Sequence, residues 1–447
     1  MDTKKLRQKI LDLAIRGKLV PQDPNDEQAS VLLERIRAEK ERLIKEGKIK
    51  RSKKSASDTP HYENIDFDVP SSWEIITLSE VFFMHAGKSI SAADISPEPN
   101  EEYRYLCVGG NGKRGYVSSY NTVGAHPIIG RQGALCGNVN YTDGQVYATE
   151  HAVVVDTFCE TEAWWAYYFL KQLNLNQYAT ATAQPGLSVN TIGDVQIPLP
   201  PYKEQVRIVA AIEQWYSLID ALETAKEDLQ ISIEYTKSKI LDLAIHGRLV
   251  LQDPNDEPAI ELLKRINPKF TPCDNAHYEN VPSNWALARV EDIGQLLSGR
   301  DLTNDECNSE NMGLPYLIGA SNIEGDTFSF IRWTEKPQVI SQIGDILISC
   351  KGTIGTIVKN DIGDMHIARQ FMAIRPNTNC ITSDYLHICL ISAIEEIKKD
   401  ARGVIPGISR DDILAKVFTI PPLNEQLRIV AAMNLYHRVL DNISANL

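Results

Sequence analysis

The sequence predicts an α+β protein: two mixed α/β domains separated by a pair of long antiparallel helices (a coiled coil), with an internal pseudo-two-fold and a circularly permuted order of parts. Three observations lead there. Lys9–Ile36 and Lys239–Ile266 are one segment written twice, identical at 21 of 28 positions at an offset of 230. Ile197–Ile212 (IPLPPYKEQVRIVAAI) returns as Thr419–Met433 (TIPPLNEQLRIVAAM) at an offset of 221. Between Gln205 and Leu243, apolar residues recur at alternating spacings of four and three, the pattern of a helix seated on another helix. A repeat this long marks whole domains, not solenoid units, and two similar but unequal halves imply an approximate two-fold.

Each part has a local reason. Segment 1–46 is a helical stretch and 47–60 a basic, Ser-rich linker (GKIKRSKKSASDT). Segments 61–200 and 277–420 are globular domains rich in Gly, Tyr and β-branched residues. Short alternating runs at Gln145–Tyr147, Ala152–Val155, Asp345–Ser349 and Ile354–Val358 read as strands, and Trp164–Tyr178 and Thr382–Asp400 as helices. Segment 201–266 is the central helical region, 267–276 a second linker and 421–447 a closing helical segment. Pro200–Pro201 bars a strand and sets a helix entry, and Gly247 stands where a glycine ends one. The 45 residues from Tyr202 to His246 make a helix roughly 67 Å long at about 1.5 Å per residue.

The expected helix seam is Ile208, Ile212, Trp215, Ile219, Leu222, Leu229, Ile233, Ile240 and Leu243 on the central helix. It continues at Ile429, Met433, Tyr436 and Leu440 near the C-terminus and at Ile10 and Leu13 near the N-terminus. Its phase is kept across the chain ends, so the termini are expected to meet midway along a second long helix.

Composition excludes several classes. Of 447 residues, 43% are hydrophobic and none of the apolar runs approaches a membrane span, so no membrane partner is expected. MDTKKLRQKI already reads as amphipathic helix, which argues against a signal peptide. The eight cysteines form no CxxC pair, so neither a disulfide framework nor a zinc site is expected, and a reducing cytoplasm is the simplest setting. The net charge of −13 weighs mildly against nucleic acid, but it is an average and says nothing about one face.

No catalytic, cofactor or metal residue stands out. No Asn-Pro-Pro loop of an adenine methyltransferase occurs. Ala86–Ser89 (AGKS) resembles the end of a phosphate loop but lacks the earlier glycine, and Gly109, Gly110 and Gly112 form no dinucleotide fingerprint. His61 and His277, in the repeated HYEN, suit a clasp over Trp73 and Trp285. Glu150–His151 could suggest acid–base work, but strand packing or a base contact is preferred. The pairs Glu204–Gln205 and Glu425–Gln426 open helices, where capping and dipole complementarity explain them first and a partner contact second.

The chain resembles the specificity subunits of type I restriction–modification systems. The resemblance rests on the helix entries above, the exits GKLVPQDPNDE and GRLVLQDPNDE, GGNGKRGYV (Gly109–Val117), RQGALCGNV (Arg131–Val139), QIGDILISCKGTIG (Gln342–Gly355) and the Gly-x-Ser turns at Gly186–Ser188 and Gly407–Ser409. It spans essentially the whole chain, although part of a conserved helix comes first here. It implies two target-recognition domains reading an asymmetric, bipartite double-stranded DNA target. It also implies two modification (methyltransferase) subunits and, in the full complex, restriction/translocase subunits. S-adenosylmethionine, ATP and magnesium would sit on those partners and none in this chain, which would be a non-catalytic targeting subunit. The helical ruler would span at most roughly 20 base pairs at about 3.4 Å each. The side chains best suited to DNA are Lys113, Arg114, Arg131 and Gln132 in the first domain, and Arg300, Lys351, Arg369, Gln370, Arg402 and Arg410 in the second. Two other readings stay open: a self-sufficient DNA methyltransferase or nuclease, and a coiled-coil scaffold with no DNA role.

Overall fold

The structure, a computed structural model, describes residues 2–51, 68–133, 135–179, 186–273, 281–325, 327–400 and 407–447. His61, His277 and Arg402 lie outside these residues. The contacts divide the chain into two compact units, Met1–Ala225 and Lys226–Leu447. The division falls inside one helix, so each unit contains helical material and a globular head.

The first unit opens with α1 (Thr3–Ile15), capped by Asp2 on the Lys5 N–H, and α2 (Ala29–Lys45). Its head follows as β1 (Glu74–Thr77), α3 (Leu78–Val81), β2 (Phe83–Ala86), β3 (Tyr105–Gly109), β4 (Gly112–Val117), β5 (Thr122–Val123), β6 (His126–Gly130), β7 (Val139–Thr142), β8 (Gln145–Ala148), β9 (Ala152–Asp156), α4 (Ala163–Gln172), α5 (Val189–Gly193) and β10 (Gln196–Leu199). The chain then enters α6 (Tyr202–Ile245). One sheet runs β2-β9-β6-β7, all antiparallel, and a second runs β4-β3-β8-β5, with β3 and β8 parallel. β1 and β10 pair where the head joins its helices.

The second unit repeats this plan. The end of α6 leads to α7 (Ala259–Ile266), β11 (Ala286–Arg289), α8 (Val290–Ile293), β12 (Gly294–Ser298), β13 (Leu314–Leu317), β14 (Ile323–Glu324), β15 (Thr327–Phe328), β16 (Trp333–Thr334), β17 (Ile340–Ser341), β18 (Ile346–Ser349), β19 (Ile357–Lys359), β20 (Met365–Ile367), β21 (Phe371–Pro376), α9 (Ser383–Asp400), α10 (Arg410–Leu414), β22 (Val417–Ile420) and α11 (Leu423–Ala445). The sheets are β12-β21-β18-β19 and β16-β13-β20-β17, with β13 and β20 parallel. The run expected as a strand from Ile354 becomes extended only at Ile357, because Gly355 makes a turn with φ +86°.

The central strands read as apolar runs because both of their faces are covered. On β9, Val153 and Val155 face the core shared with α4 and the helices, while Ala152 and Val154 face the second sheet. On β18, Ile346 and Ile348 take the first role and Leu347 the second.

Within each unit the helices lie antiparallel and are fastened at repeated points. Arg7 on α1 pairs with Asp220 and Glu223 on α6, and Lys237 on α6 pairs with Asp441 on α11. Asp26 in the loop after α1 accepts from Arg207, and Asp256 accepts from Arg428 and Asn424. Gln22 donates to Glu204 and Gln252 to Glu425, both at 2.6 Å. The Glu–Gln pairs are therefore buried clasps, not solvent-facing caps: Gln205 also takes the Glu162 N–H and Gln426 the Thr382 N–H. Trp73 Nε1 donates to Glu204 at 2.9 Å, and Trp285 faces Glu425 from the equivalent place. Burial raises both glutamate carboxyls, against the opposing pull of these donors.

The seam is only partly as expected. Ile10, Ile208, Ile212, Ile219, Ile233, Ile240, Ile429 and Met433 are buried, and Leu13, Leu243 and Leu440 half-buried. Trp215, Leu222, Leu229 and Tyr436 are exposed at 49%, 38%, 41% and 45%. Beside Trp215, Tyr216 packs against the first unit's core with Arg7 over its ring at 4.9 Å.

Candidate nucleic-acid interface

In each head three stretches of chain converge at one end of the antiparallel sheet, and matching backbone hydrogen bonds identify equivalent positions in the two ends. Gly87 N–H bonds Ala152 O and Lys88 N–H bonds Ala148 O; Gly299 N–H bonds Phe371 O and Arg300 N–H bonds Ile367 O. Arg131 N–H bonds His151 O and its carbonyl accepts from Leu187. Cys350 N–H bonds Gln370 O and its carbonyl accepts from Ile408. These contacts pair Lys88 with Arg300, Gln132 with Lys351, Glu150 with Arg369 and His151 with Gln370. Both Gly-x-Ser turns thus stitch a later loop onto the strand end.

Glycine is required at the crossing. A Cβ on Gly87 would lie 2.2 Å from Ala148 O, and one on Gly299 would lie 2.0 Å from Ala368 O. Only a residue without a side chain lets the first strand leave the sheet so close to the turn, and it carries Lys88 or Arg300 out with it.

The structure brings together Arg131 and Gln132 in the first head, and Arg300, Lys351, Arg369 and Gln370 in the second. Lys88, Gln132, Arg300, Lys351 and Arg369 are exposed, and Arg131 is half-buried. Arg369 is held: its Nε lies 2.7 Å from Asp301 Oδ2 and its backbone N–H donates to Asp301 Oδ1. Gln370 Oε1 is buried with no hydrogen-bond partner, and so is Glu150 Oε2, whose other oxygen lies 3.5 Å from His151 Nε2.

Other expected residues stand apart. Lys113 and Arg114 lie on β4 in the second sheet; the Lys113 ammonium sits over the Tyr116 ring at 4.6 Å, and Arg114 lies along Gly109. Arg410 bonds Ser298 Oγ and Leu296 O, so it fastens α10 to β12 instead of standing clear. Sequence reasoning missed Lys88, set aside as a failed phosphate loop, and offered Glu150 and His151 only as strand packing or a base contact. The available signal was a Gly-Lys in one head and a Gly-Arg in the other, each just after the first sheet strand.

Away from this end, Asp156 lies 3.1 Å from His126 and 3.4 Å from His85. Burial opposes the Asp156 charge, yet the two histidine hydrogen bonds outweigh it and hold the carboxyl at about 2; both histidines are raised. Among the described residues no cluster of histidine, cysteine, aspartate and glutamate could hold a metal, and no helix is long and apolar enough to cross a membrane.

Two heads of one topology, each carried on antiparallel helices and each offering a different set of polar side chains at the same strand end, define a protein built for paired recognition. Residues 70–231 and again 282–446 match the type I restriction modification DNA specificity domain, so the chain belongs to that family and is a type I restriction–modification specificity subunit. It is 26% identical to the EcoEI specificity subunit of Escherichia coli, covering 99% of this chain and 90% of that one, and 27% identical to the EcoAI subunit over 96% and 88%. It is 45% identical to the EcoprrI subunit, but there the match covers only 33% of this chain and 36% of the relative. The HsdS subunit from Thermoanaerobacter tengcongensis shares the fold, with a TM-score of 0.58 and 17% identity over 86% of this chain and 93% of that one.

Proposed function

We propose that each head reads one half of an asymmetric, bipartite duplex target, and that the chain carries out no chemistry of its own. The observation carrying this is the unlike occupancy of equivalent places: Lys88 against Arg300, Gln132 against Lys351, Glu150 against Arg369, His151 against Gln370. Unlike donors and acceptors on like scaffolds select unlike base edges. Arg131, Gln132, Arg300, Lys351, Arg369 and Gln370 are the central candidates. Lys113, Arg114 and Arg410 are flanking ones, for phosphate contacts.

Two modification subunits fit a surface present twice. Trp215, Leu218 and Leu222 are exposed on α6, and their repeat equivalents Tyr436, Val439 and Ile443 are exposed on α11. Exposed apolar stripes of this kind mark docking sites. The seven-part division laid out from the sequence (helical segments 1–46, 201–266 and 421–447, heads 61–200 and 277–420, with linkers between) belongs to the same reading. The equivalent ion pairs Arg7–Asp220 and Lys237–Asp441 fasten the helices of each unit alike. S-adenosylmethionine, ATP and magnesium belong to the partner subunits, restriction/translocase subunits included, and the assembly works in the cytoplasm.

The test is methylation mapping in a host carrying this chain with its modification subunit. A single split motif with unlike halves is expected. A contiguous or palindromic motif, or methylation by the purified chain alone, would overturn the reading.

A further inference from the structure

We propose that Arg369, held by Asp301, reads a guanine in the half-site of the second head, and that Glu150 in the first head gives the same place the opposite hydrogen-bonding sense. The inference rests on the DNA-reading function proposed above.

Arg369 is both accessible and held in place. Its side chain is 66% exposed, yet Asp301 takes its Nε at 2.7 Å and its backbone N–H at 3.1 Å. Asp301 follows Arg300, the residue that leaves the sheet beside the turn bearing Arg369. One carboxylate thereby ties together two of the three converging stretches. With Nε engaged, the guanidinium offers its two terminal nitrogens as a fork of fixed direction. That fork matches guanine, which presents O6 and N7 as two adjacent acceptors in the major groove. Because Asp301 has already fixed the fork, less side-chain freedom is lost on binding.

The first head cannot read guanine with the same place. Its turn has the same closing bond, Ala152 N–H to Thr149 O against Phe371 N–H to Ala368 O, but carries Glu150. Ser89 replaces Asp301 beside it. Glu150, with 36% of its side chain exposed, carries carboxylate acceptors where Arg369 carries donors. A carboxylate here accepts from an exocyclic amine, that of cytosine above all. Donor fork and acceptor carboxylate at one scaffold position give the two half-sites opposite requirements.

The test uses the complete methyltransferase complex, with the methylated motif mapped genome-wide for wild type, Arg369→Ala, Arg369→Lys, Asp301→Asn and Glu150→Gln. Arg369→Ala and Arg369→Lys are expected to relax one guanine position in one half-site, by roughly 10- to 100-fold in preference, leaving the other half unchanged. Asp301→Asn relaxes the same position more weakly, a base-specific effect that a merely structural role would not produce. Glu150→Gln alters one position of the other half only. Unchanged base preference in Arg369→Ala overturns the proposal, as does uniform loss across all sites with a shallower salt dependence, the mark of a phosphate contact. A wild-type complex with no bipartite motif would instead defeat the functional reading. Thermal melts of each variant separate misfolding from lost recognition, and Arg369→Lys keeps the charge should Arg369→Ala be unstable.

Discussion

Replacing Asp256 with alanine is expected to loosen the joint between α11 and the loop after α6 by about 2–3 kcal/mol. Only 4% of the Asp256 side chain is accessible. It accepts from Arg428 Nη2 at 2.6 Å and from Asn424 Nδ2 at 3.2 Å. A hydrogen bond to a charged group contributes about 1.5–3 kcal/mol and a neutral one about 1. Arg428, 36% exposed, can turn to water once its partner is gone, which keeps the cost below that of orphaning a fully buried charge. In a unit of this size about 2–3 kcal/mol corresponds to a fall of roughly 4–12 °C in melting temperature.

The repeat supplies an internal control. Asp26 holds the same place in the first unit and its side chain is equally enclosed, but it accepts only from Arg207, at 2.6 Å. Asp26→Ala should therefore cost about 1–2 kcal/mol, less than Asp256→Ala. Calorimetry and hydrogen exchange on the full chain, with the cycle Asp256→Ala, Arg428→Ala and the double variant, measure the coupling directly. If Asp256→Ala lies within about 0.5 kcal/mol of wild type, or Asp26→Ala costs as much, the claim that these repeated turns are inward fasteners fails.

Three further outcomes are expected. His85 and His126 should titrate above 6.5 by NMR, and Asp156→Asn should bring both down, since Asp156 is what raises them against burial. The histidines' share of stability is complete below their unfolded value and fades as pH rises through the raised folded one; the Asp156 share is present above about 4 and fades as pH falls toward about 2. Exchange of β9 amides should thus respond to pH on both flanks, and histidines titrating at or below 6.5 would refute this. Gly87→Ala and Gly299→Ala should each destabilise by about 3 kcal/mol or more, because the new methyl would overlap a backbone carbonyl; a melt within a degree of wild type would count against the tight crossing. Leu218→Asp and Val439→Asp should each remove one modification subunit from the purified complex, read by native mass spectrometry, without moving the melting temperature; full occupancy in the double variant would exclude the stripes as docking sites.

Much of the helical framework was readable because helix signals are local. Pro200–Pro201 and Gly247 bracket a helix that runs Tyr202–Ile245, and the repeat transfers that reading to α11. The order of strands in each sheet was not readable, since pairings such as β2 with β9 join residues some 70 apart in sequence through no local signal. The Glu–Gln pairs misled for a related reason. A glutamate at a helix start looks like a cap, and only the fold reveals that Gln22, Trp73 and Gln252 arrive to enclose it. Lys88 was hidden by a stronger pattern, the phosphate-loop ending in which it sits.

The positions that diverge between the heads sort by what they face. Where a residue meets another part of its own unit, the repeat holds the chemistry: Asp26 and Asp256, Arg207 and Arg428, Gln22 and Gln252, Arg7 and Lys237. One internal pair shows how far exchange can go. His126 and Asp156 occupy the places of Asp345 and Arg375, so the cross-strand ion pair survives with its charges reversed. Reversal is tolerated because attraction between two facing residues does not depend on which carries the positive charge. At the strand end that freedom is absent. Glu150 against Arg369 is also a reversal, but neither has its counterpart's partner, Ser89 standing where Asp301 does. Each charge instead has its own partner, Asp301 for Arg369 and His151 3.5 Å from Glu150, so the two strand ends differ in kind and not by a swap within one pair. Exchange is paired inside the heads and unpaired at the strand end, as the proposed reading of two unlike half-sites requires.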